Sequence, residues 1–330
     1  MSPAPGALRD RLGELVRRRR AGVVPAPTAV APERASTAKP ATSRTRAPRA
    51  SRASVAPEAI PRRTPPRPSR RTSRTRAGGG LESFLPGGEW SHPTHGAVYV
   101  HERLRGDIER PHEDWGRLPE PPTGETELAA VRERGLARVM FLDLETCGLS
   151  SCPVFLAGTM IWNGEDFVVR QYFARHYGEE AALLAAVAEQ ARGYETLITF
   201  NGKSYDAPFL RARAVTHGVP LELPRNHLDL VHHARRRWRT GLPDCRLTTL
   251  ERRVCGRLRT GDVPGSEIPG LYHAFVKDSD PWPLVPVFHH NLLDVLTMAD
   301  LLHALCRPGR PARLAWAEGD ALGSRSASRR

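Results

Sequence analysis

Two acidic residues end the most apolar strand-like stretch of the sequence. Asp143 and Glu145 close the run ARVMFLDLE, and a strand places residues two apart on the same face. Neighbouring carboxylates repel each other, and a bound divalent cation removes that penalty. The pair therefore predicts a metal site at the carboxyl end of this strand. The alternative is an ordinary strand end with two exposed acids.

A second acidic position lies between a predicted strand and a predicted helix. The segment NGKSYD, residues 201–206, follows a predicted strand at 196–200 and opens a predicted helix at 207–217. Asp206 is thus expected at a helix N-terminus, on the carboxyl edge of a neighbouring strand. A simple N-cap aspartate is the alternative, because Asp is common at that position.

The third acidic position lies on the last predicted helix, residues 283–305. His290 and Asp294 are four residues apart and share a helical face, although they could also form an ordinary surface pair. The three segments together bring four acids to one edge of one sheet. Such a cluster suits two divalent metal ions that clamp the attacking and leaving oxygens of a phosphodiester. A nearby histidine can orient or deprotonate the attacking water.

The predicted elements explain how one sheet edge could collect these residues. From residue 137 onward, three strands are followed by helix, strand, helix, strand and further helices, which predicts a mixed α/β sheet flanked by helices. Right-handed crossovers would place the strand at 196–200 beside the strand at 137–144. The predicted strands are 96–104, 137–144, 154–162, 167–173, 196–200 and 227–230; the predicted helices are 178–191, 207–217, 231–239, 246–255 and 283–305.

The motifs resemble a known family over residues 137–305. Asp143 with Glu145, the N-x3-Y-D pattern at 201–206 and the H-x3-D pattern at 290–294 resemble the three exonuclease motifs of the DEDD superfamily, which has the ribonuclease H-like fold. More narrowly, the chain resembles the YprB-type ribonuclease H-like family. The segments that carry the resemblance are FLDLETCGLS (141–150), FNGKSYDAPFL (200–210), HLDL (227–230), WRTGLPDCRLTTLE (238–251), RTGDVPGSEIPGLY (259–272) and HHNLLDV (289–295).

The resemblance implies a 3′–5′ exonuclease that hydrolyses DNA or RNA with two Mg²⁺ or Mn²⁺ ions. It implies a catalytic histidine, for which both His290 and His289 stand at family distances; the shared helical face favours His290. Cys147 stands where such motifs often have Thr. A non-catalytic nucleic-acid-binding or scaffold protein on the same fold is the alternative, since a fold does not prove an activity. The implied metal ligands are Asp143, Glu145, Asp206 and Asp294.

Residues between the second and third motifs are candidates for substrate contacts. The segment 232–262 contains nine arginines and three acids, which indicates phosphate binding or, alternatively, a solvated helix face. The turn-rich stretch 261–270 could line a substrate channel. Asp229 is expected to be structural. The candidate substrate-binding residues are Asn201, Tyr205, Arg246, Arg253 and Arg257.

Charge and composition divide the chain. Residues 1–80 hold 19 basic and 4 acidic residues and none of the 21 aromatics, which predicts a disordered basic arm. The arm could bind nucleic acid or an acidic partner, or its amphipathic stretch Leu8–Val16 could dock on a protein or an anionic membrane; a transient helix without a dedicated role is the alternative. An N-terminal extension at 81–136, a ribonuclease H-like domain at 137–307 and a flexible tail at 308–330 follow. No run of 18 apolar residues occurs, so a transmembrane segment is not expected. Five scattered cysteines indicate free thiols and a cytoplasmic protein, with nucleoid association as an option.

Overall fold

The structure is a computed structural model that describes residues 80–109, 115–148 and 151–307. The predicted basic arm and the predicted tail at 308–330 lie outside these residues. No helix in the described ranges is both long enough and apolar enough to span a bilayer.

In the part of the chain that the structure describes, seven strands form one mixed sheet in the order β1-β2-β5-β4-β3-β6-β7. Strands β1, β2, β5, β4 and β3 are antiparallel neighbours, whereas β3, β6 and β7 are parallel. The mixed sheet and the place of the strand at 196–199 beside β3 confirm the predicted α/β architecture. The strands are β1 (Gly88–His92), β2 (Gly96–Leu104), β3 (Val139–Thr146), β4 (Val154–Trp162), β5 (Phe167–Phe173), β6 (Thr196–Thr199) and β7 (Asn226–Asp229).

Helices flank the sheet. They are α1 (Leu81–Phe84), α2 (Thr126–Arg134), α3 (Glu180–Ala191), α4 (Asp206–His217), α5 (Leu230–Trp238), α6 (Leu247–Leu250), α7 (Ile268–Asp278) and α8 (Val285–Cys306). A single π-helical turn, Glu251–Cys255, continues α6 and ends at Gly256, whose φ of 71° is a left-handed conformation that glycine adopts freely.

Alternation along β3 divides its apolar side chains between two hydrophobic clusters. Met140 and Leu142 share a cluster with the leucines of α3, whereas Val139 and Phe141 share another with α5 and α8. Because side chains alternate along a strand, Asp143 and Glu145 lie on the same face of β3 as Val139 and Phe141, which is the face that packs against α8. Packing of β3 against both layers thus fixes the strand that ends in the acidic pair.

Four elements differ from the predictions. Strand β1 and helices α1 and α2 were not predicted, and α7 begins inside the stretch predicted to be a turn-rich loop. Pro269 is the second residue of α7, and the first helical turn tolerates proline because a backbone N–H there would have no partner within the helix. Its buried residues are Ile268, Tyr272 and Phe275.

The N-terminal extension shares the sheet of the following domain. Strand β2 pairs with β5 along Tyr99–Leu104, and β1 pairs with β2. The described part of the extension therefore lies in one compact unit with residues 137–307.

Candidate active site

Asp143 is held by a buried asparagine on α8. Asn291 Nδ2 donates to Asp143 Oδ2 at 2.8 Å and to the Asp143 carbonyl at 3.3 Å. Gln171 on β5 donates to Asn291 Oδ1 at 2.9 Å. Gly158 on β4 leaves the space that Asn291 occupies, because a Cβ there would lie 2.1 Å from Asn291 Oδ1. Two neighbouring strands thus orient the residue that orients Asp143.

A second buried acid holds the turn that presents Asp206. Asp229, at the end of β7, accepts hydrogen bonds from the backbone N–H groups of Asn201 at 2.7 Å and Lys203 at 3.0 Å. It also accepts from Val231 N at 3.2 Å and so caps α5. Asn201 adopts a left-handed φ of 66° in this turn. These contacts accord with the structural role expected for Asp229.

His290 and Asp294 lie on α8 beside charged residues of the π-helical turn and of the loop between that turn and α7. His290 Nδ1 donates to Asp262 Oδ1 at 2.7 Å, and its Nε2 lies 3.5 Å from Asp294 Oδ2. Arg259 donates to Asp294 Oδ1, to Asp262 Oδ2 at 3.2 Å and to Glu251 Oε2. The sequence motifs did not single out Arg259, Asp262, Glu251 or Asn291.

The four predicted acids lie close enough to perturb one another. Burial raises the pKa of Asp143 well above its ordinary value, and the charges of Asp294, Glu145 and Asp206 raise it further. Burial also raises the pKa of Glu145 to about 8, although the nearby imidazole of His290 opposes the shift. The structure therefore brings the four acids together.

Asp206 completes the cluster from the N-terminus of α4. Burial raises the pKa of Asp206 to about 7, and the charges of Asp229 and Asp294 act in the same direction. A hydrogen bond from the backbone of Leu144 partly offsets these effects and places the Asp206 carboxylate beside β3.

The structure distinguishes the two candidate histidines. Burial acts to lower the pKa of His290, but its hydrogen bond with Asp262 and the charges of Asp294 and Glu145 outweigh burial and raise that pKa to about 9. Burial lowers the pKa of His289, which contacts the backbone of Thr260 instead. His290 is the histidine that faces the carboxylates.

The donor chemistry of the cluster fits a divalent cation. Carboxylate oxygens are the ligands that Mg²⁺ and Mn²⁺ prefer, and a bound cation would relieve the repulsion that raises the pKa values. Across the described ranges, however, no three Asp, Glu, His or Cys side chains are already arranged as a metal site. Two of the relevant oxygens have other partners, since Asn291 bonds Asp143 Oδ2 and Arg259 bonds Asp294 Oδ1.

The predicted substrate-binding residues differ in how accessible their side chains are. The side chain of Tyr205, next to Asp206, is 58% exposed, and Arg246 and Arg253 are also exposed. Arg257 is engaged elsewhere, because its guanidinium donates to Glu109 at 2.6 Å and to Asp300 at 2.6 Å.

A basic cavity of about 510 Å³ adjoins the carboxylates. Arg259 and Asp262 line it on the side of Asp294, and the exposed residues Arg252, Arg253 and Leu258 line it farther out.

The thiol of Cys147 is not activated as a nucleophile. Burial raises the pKa of Cys147 to about 12, so the protonated form predominates at neutral pH. The five cysteines are free thiols, as the sequence predicts.

A mixed sheet with helices on both sides and an acidic cluster at the end of β3 are features of a ribonuclease H-like fold. Residues 140–306 match the model of the RNase_H_2 family, described as RNase_H superfamily, and the chain belongs to this family. The predicted resemblance to a ribonuclease H-like family is thus confirmed.

One similar protein is the "Uncharacterized protein YprB" of Bacillus subtilis (strain 168). It is 34% identical over 169 residues, which are 49% of this chain and 40% of YprB. The match thus spans two fifths of the length of YprB. A solved family B DNA polymerase from Pyrobaculum calidifontis is similar over 51% of this chain and 24% of that chain, with 17% identity and a TM-score of 0.41.

Proposed function

We propose that the protein is a metal-dependent nuclease that hydrolyses phosphodiester bonds in DNA or RNA, acting as a 3′–5′ exonuclease. The observation that carries this proposal is the convergence of four acids, three of them with raised pKa values, beside β3. Such a cluster is costly in a fold unless it serves a cation. Membership of the RNase H superfamily supports nucleic acid as the substrate class.

Asp143, Glu145, Asp206 and Asp294 would hold two Mg²⁺ or Mn²⁺ ions. Bound ions of this kind polarise the phosphoryl group and stabilise the attacking and leaving oxygens. His290 has its Nδ1 fixed by Asp262, so its Nε2 is directed to the side of Asp294, where it can hold a water molecule or pass a proton.

The basic cavity is proposed to bind the nucleic-acid backbone. Exposed Arg252 and Arg253 can contact phosphates, which gives affinity without sequence specificity. Exposed Tyr205 can stack on a base next to Asp206. Arg257 is not assigned to the substrate, because Glu109 and Asp300 already bind its guanidinium.

Cleavage of end-labelled oligonucleotides tests the activity. Single- and double-stranded DNA and RNA, labelled at the 5′ end, are incubated with Mg²⁺ or Mn²⁺ and the wild-type protein, Asp143→Asn or Asp294→Asn. We expect a ladder shortened from the 3′ end and a loss of about 10²–10³-fold in each variant, the size found when one electrostatic partner of a transition state is removed. A blocked 3′ end should stop an exonuclease.

Glu189→Gln is the matched control, because Glu189 is an exposed acid on α3 that is not part of the acidic cluster. Equal cleavage by the wild type and both Asp variants would reject the proposal, since it would indicate a contaminating nuclease.

A non-catalytic nucleic-acid-binding protein is the second candidate. The bond between Arg259 and Asp294, together with the lack of a preformed group of three ligands in the described ranges, favours it. Retained binding of an oligonucleotide, with no cleavage of any substrate under either metal, would support this candidate.

A further inference from the structure

Arg259 is a buried cation inside the acidic cluster. Its side chain is 9% exposed and lies in the loop between the π-helical turn and α7. It pairs with Asp294, with Asp262 and with Glu251, whose own side chain is 1% exposed. A guanidinium stays protonated at any pH at which the protein is folded, so this positive charge is permanent.

The hydrogen bond from Arg259 occupies a carboxylate oxygen with which Asp294 would bind a metal ion. Arg259 Nη2 donates to Asp294 Oδ1, while Asp294 Oδ2 already faces His290 Nε2 at 3.5 Å. Both oxygens of Asp294 therefore face protein groups. A metal ion and a guanidinium are two cations, and they compete for the same lone pairs.

We infer that Arg259 is a displaceable internal cation, which neutralises Asp294 in the metal-free protein and must release it before Asp294 binds a divalent ion. The inference rests on the proposed function, because it assigns Asp294 to the metal. It makes Arg259 a positioning residue that sets the metal affinity of the cluster.

Arg259 has partners and space for this movement. Glu251 and Asp262 can keep the guanidinium paired after it leaves Asp294. Arg259 also lines the cavity of about 510 Å³ together with Glu251 and Asp262, so its side chain borders open space. The displaced charge is thus neither buried without a partner nor blocked by packing.

If Arg259 has a purely structural role, its removal should have the opposite effect on metal affinity. If the guanidinium only held Asp294 in the orientation that a metal requires, its removal would weaken metal binding. If Arg259 competes with the metal, its removal strengthens binding. The dissociation constant for Mn²⁺, measured without nucleic acid, separates the two roles independently of catalysis.

The experiment is a titration of the full-length chain with Mn²⁺, followed by calorimetry and by the electron paramagnetic resonance signal of free Mn²⁺. The variants are Arg259→Gln and the double variant Glu251→Gln/Arg259→Gln, in which Glu251 is not left as an unpaired buried charge. Arg253→Gln is the matched control, because it removes one charge from an exposed position in the same segment. We expect Arg259→Gln to lower the Kd about tenfold relative to Arg253→Gln, a usual size for coupling between sites.

The possible results separate the role of Arg259 from the proposed function. An unchanged or raised Kd in both the single variant and the folded double variant would refute the role of Arg259, while Mn²⁺ binding that disappears in Asp294→Asn would leave the proposed function intact. If neither the wild type nor the Arg259 variants bind Mn²⁺, the proposed function fails and the inference fails with it. Binding seen only after removal of Arg259 would support the inference.

Discussion

The orientation of the Asp143 carboxylate depends on a glycine, Gly158. Gly158 lies opposite Asp143 in the β3–β4 register, and its missing Cβ lets the Asn291 amide pack against the sheet. Asn291 is fully buried, and Gln171 and Asp143 are its partners across the interface with α8. The orientation of the first acid is therefore set by packing between three strands and one helix.

Gly158→Ala should destabilise the protein by about 1–3 kcal/mol, because an overpacked core forces side chains and backbone to move. The added methyl group would meet Asn291 Oδ1 at 2.1 Å and displace the amide from Asp143. Urea unfolding measures the change in the free energy of unfolding. Gly88→Ala is the control, since a Cβ at Gly88 has no neighbour within 4 Å. Equal unfolding midpoints for the two variants would contradict the role of Gly158.

At the residue scale, the sequence predicts the acids but not their partners. Asp143, Glu145, Asp206 and Asp294 follow from motif spacing and from the rule that parallel strands end at one edge. Asn291 was not predicted because its role depends on a glycine 133 positions away in the chain, which no local spacing expresses. The other missed residues, Arg259, Asp262 and Glu251, come from a loop and a π-helical turn whose path depends on tertiary packing.

At the element scale, Asp229 connects β7, α5 and the turn before α4. Its carboxylate is 1% exposed and accepts three backbone hydrogen bonds, from Asn201, Lys203 and Val231. The turn at 201–206 determines where α4 begins and therefore where Asp206 lies. Loss of the Asp229 carboxylate should therefore lower the stability of the fold and change the position of Asp206.

Asp229→Ala should lower the free energy of unfolding by about 2–4 kcal/mol, because each buried donor left without an acceptor costs about 1–3 kcal/mol. Asp229→Asn keeps one oxygen and should have a smaller effect. The measurement is urea unfolding, combined with the cleavage assay above. If the Ala variant unfolds at the wild-type midpoint, the carboxylate does not hold the turn.

A second connection joins the end of β2 to α8 through buried charges. Arg105 is 1% exposed, pairs with Glu109 and Asp300, and lies 3.9 Å from the centre of the Trp115 ring. Arg257 pairs with the same two acids. Burial acts to raise the pKa of Asp300, but the two guanidinium groups outweigh burial and hold that pKa below its ordinary value.

Asp300 should therefore stabilise the fold in a pH-dependent way. Its pKa is lower in the folded state than in the unfolded state, so its contribution is present above about pH 4 and disappears as the pH falls through the folded-state pKa. Asp300→Asn should be less stable than the wild type by about 3–5 kcal/mol at pH 7, the cost of unpairing buried charges. Urea unfolding at several pH values should show this difference shrink in acid. A constant difference would contradict the assignment.

Most elements could be predicted from the sequence, and the exceptions have physical reasons. Strands 154–162 and 167–173 have the predicted bounds because their apolar runs are bounded by a turn signal at Asn163-Gly164. Strand β1, with the sequence GEWSH, is a polar edge strand that pairs only with β2, so it lacks an apolar period. The start of helix α7 was predicted as part of a turn-rich loop because its first turn contains Pro269 and Gly270.

At the scale of the whole molecule, charge is divided between the arm and the rest of the chain. Residues 1–80 carry 19 basic and 4 acidic residues, whereas residues 81–330 carry 30 basic and 32 acidic residues. Within the described ranges, the acidic cluster and the basic cavity lie side by side. We expect the cavity to act locally on phosphates near the cluster, and the arm to raise affinity for any polyanion.

Removal of residues 1–80 should weaken nucleic-acid binding and flatten its salt dependence. The slope of log K against log salt becomes shallower by about 0.7 for each phosphate of a single strand that the protein no longer neutralises. Fluorescence anisotropy with a labelled single-stranded oligonucleotide between about 50 and 200 mM salt measures the slope. Arg252→Gln/Arg253→Gln in the full chain is the comparison, because it removes two charges beside the cluster and should change the slope far less than the deletion. Cleavage should fall in that double variant even at low salt, if the cavity guides the substrate to the acids. An unchanged slope after the deletion would show that the positive charge of residues 1–80 has no part in nucleic-acid binding.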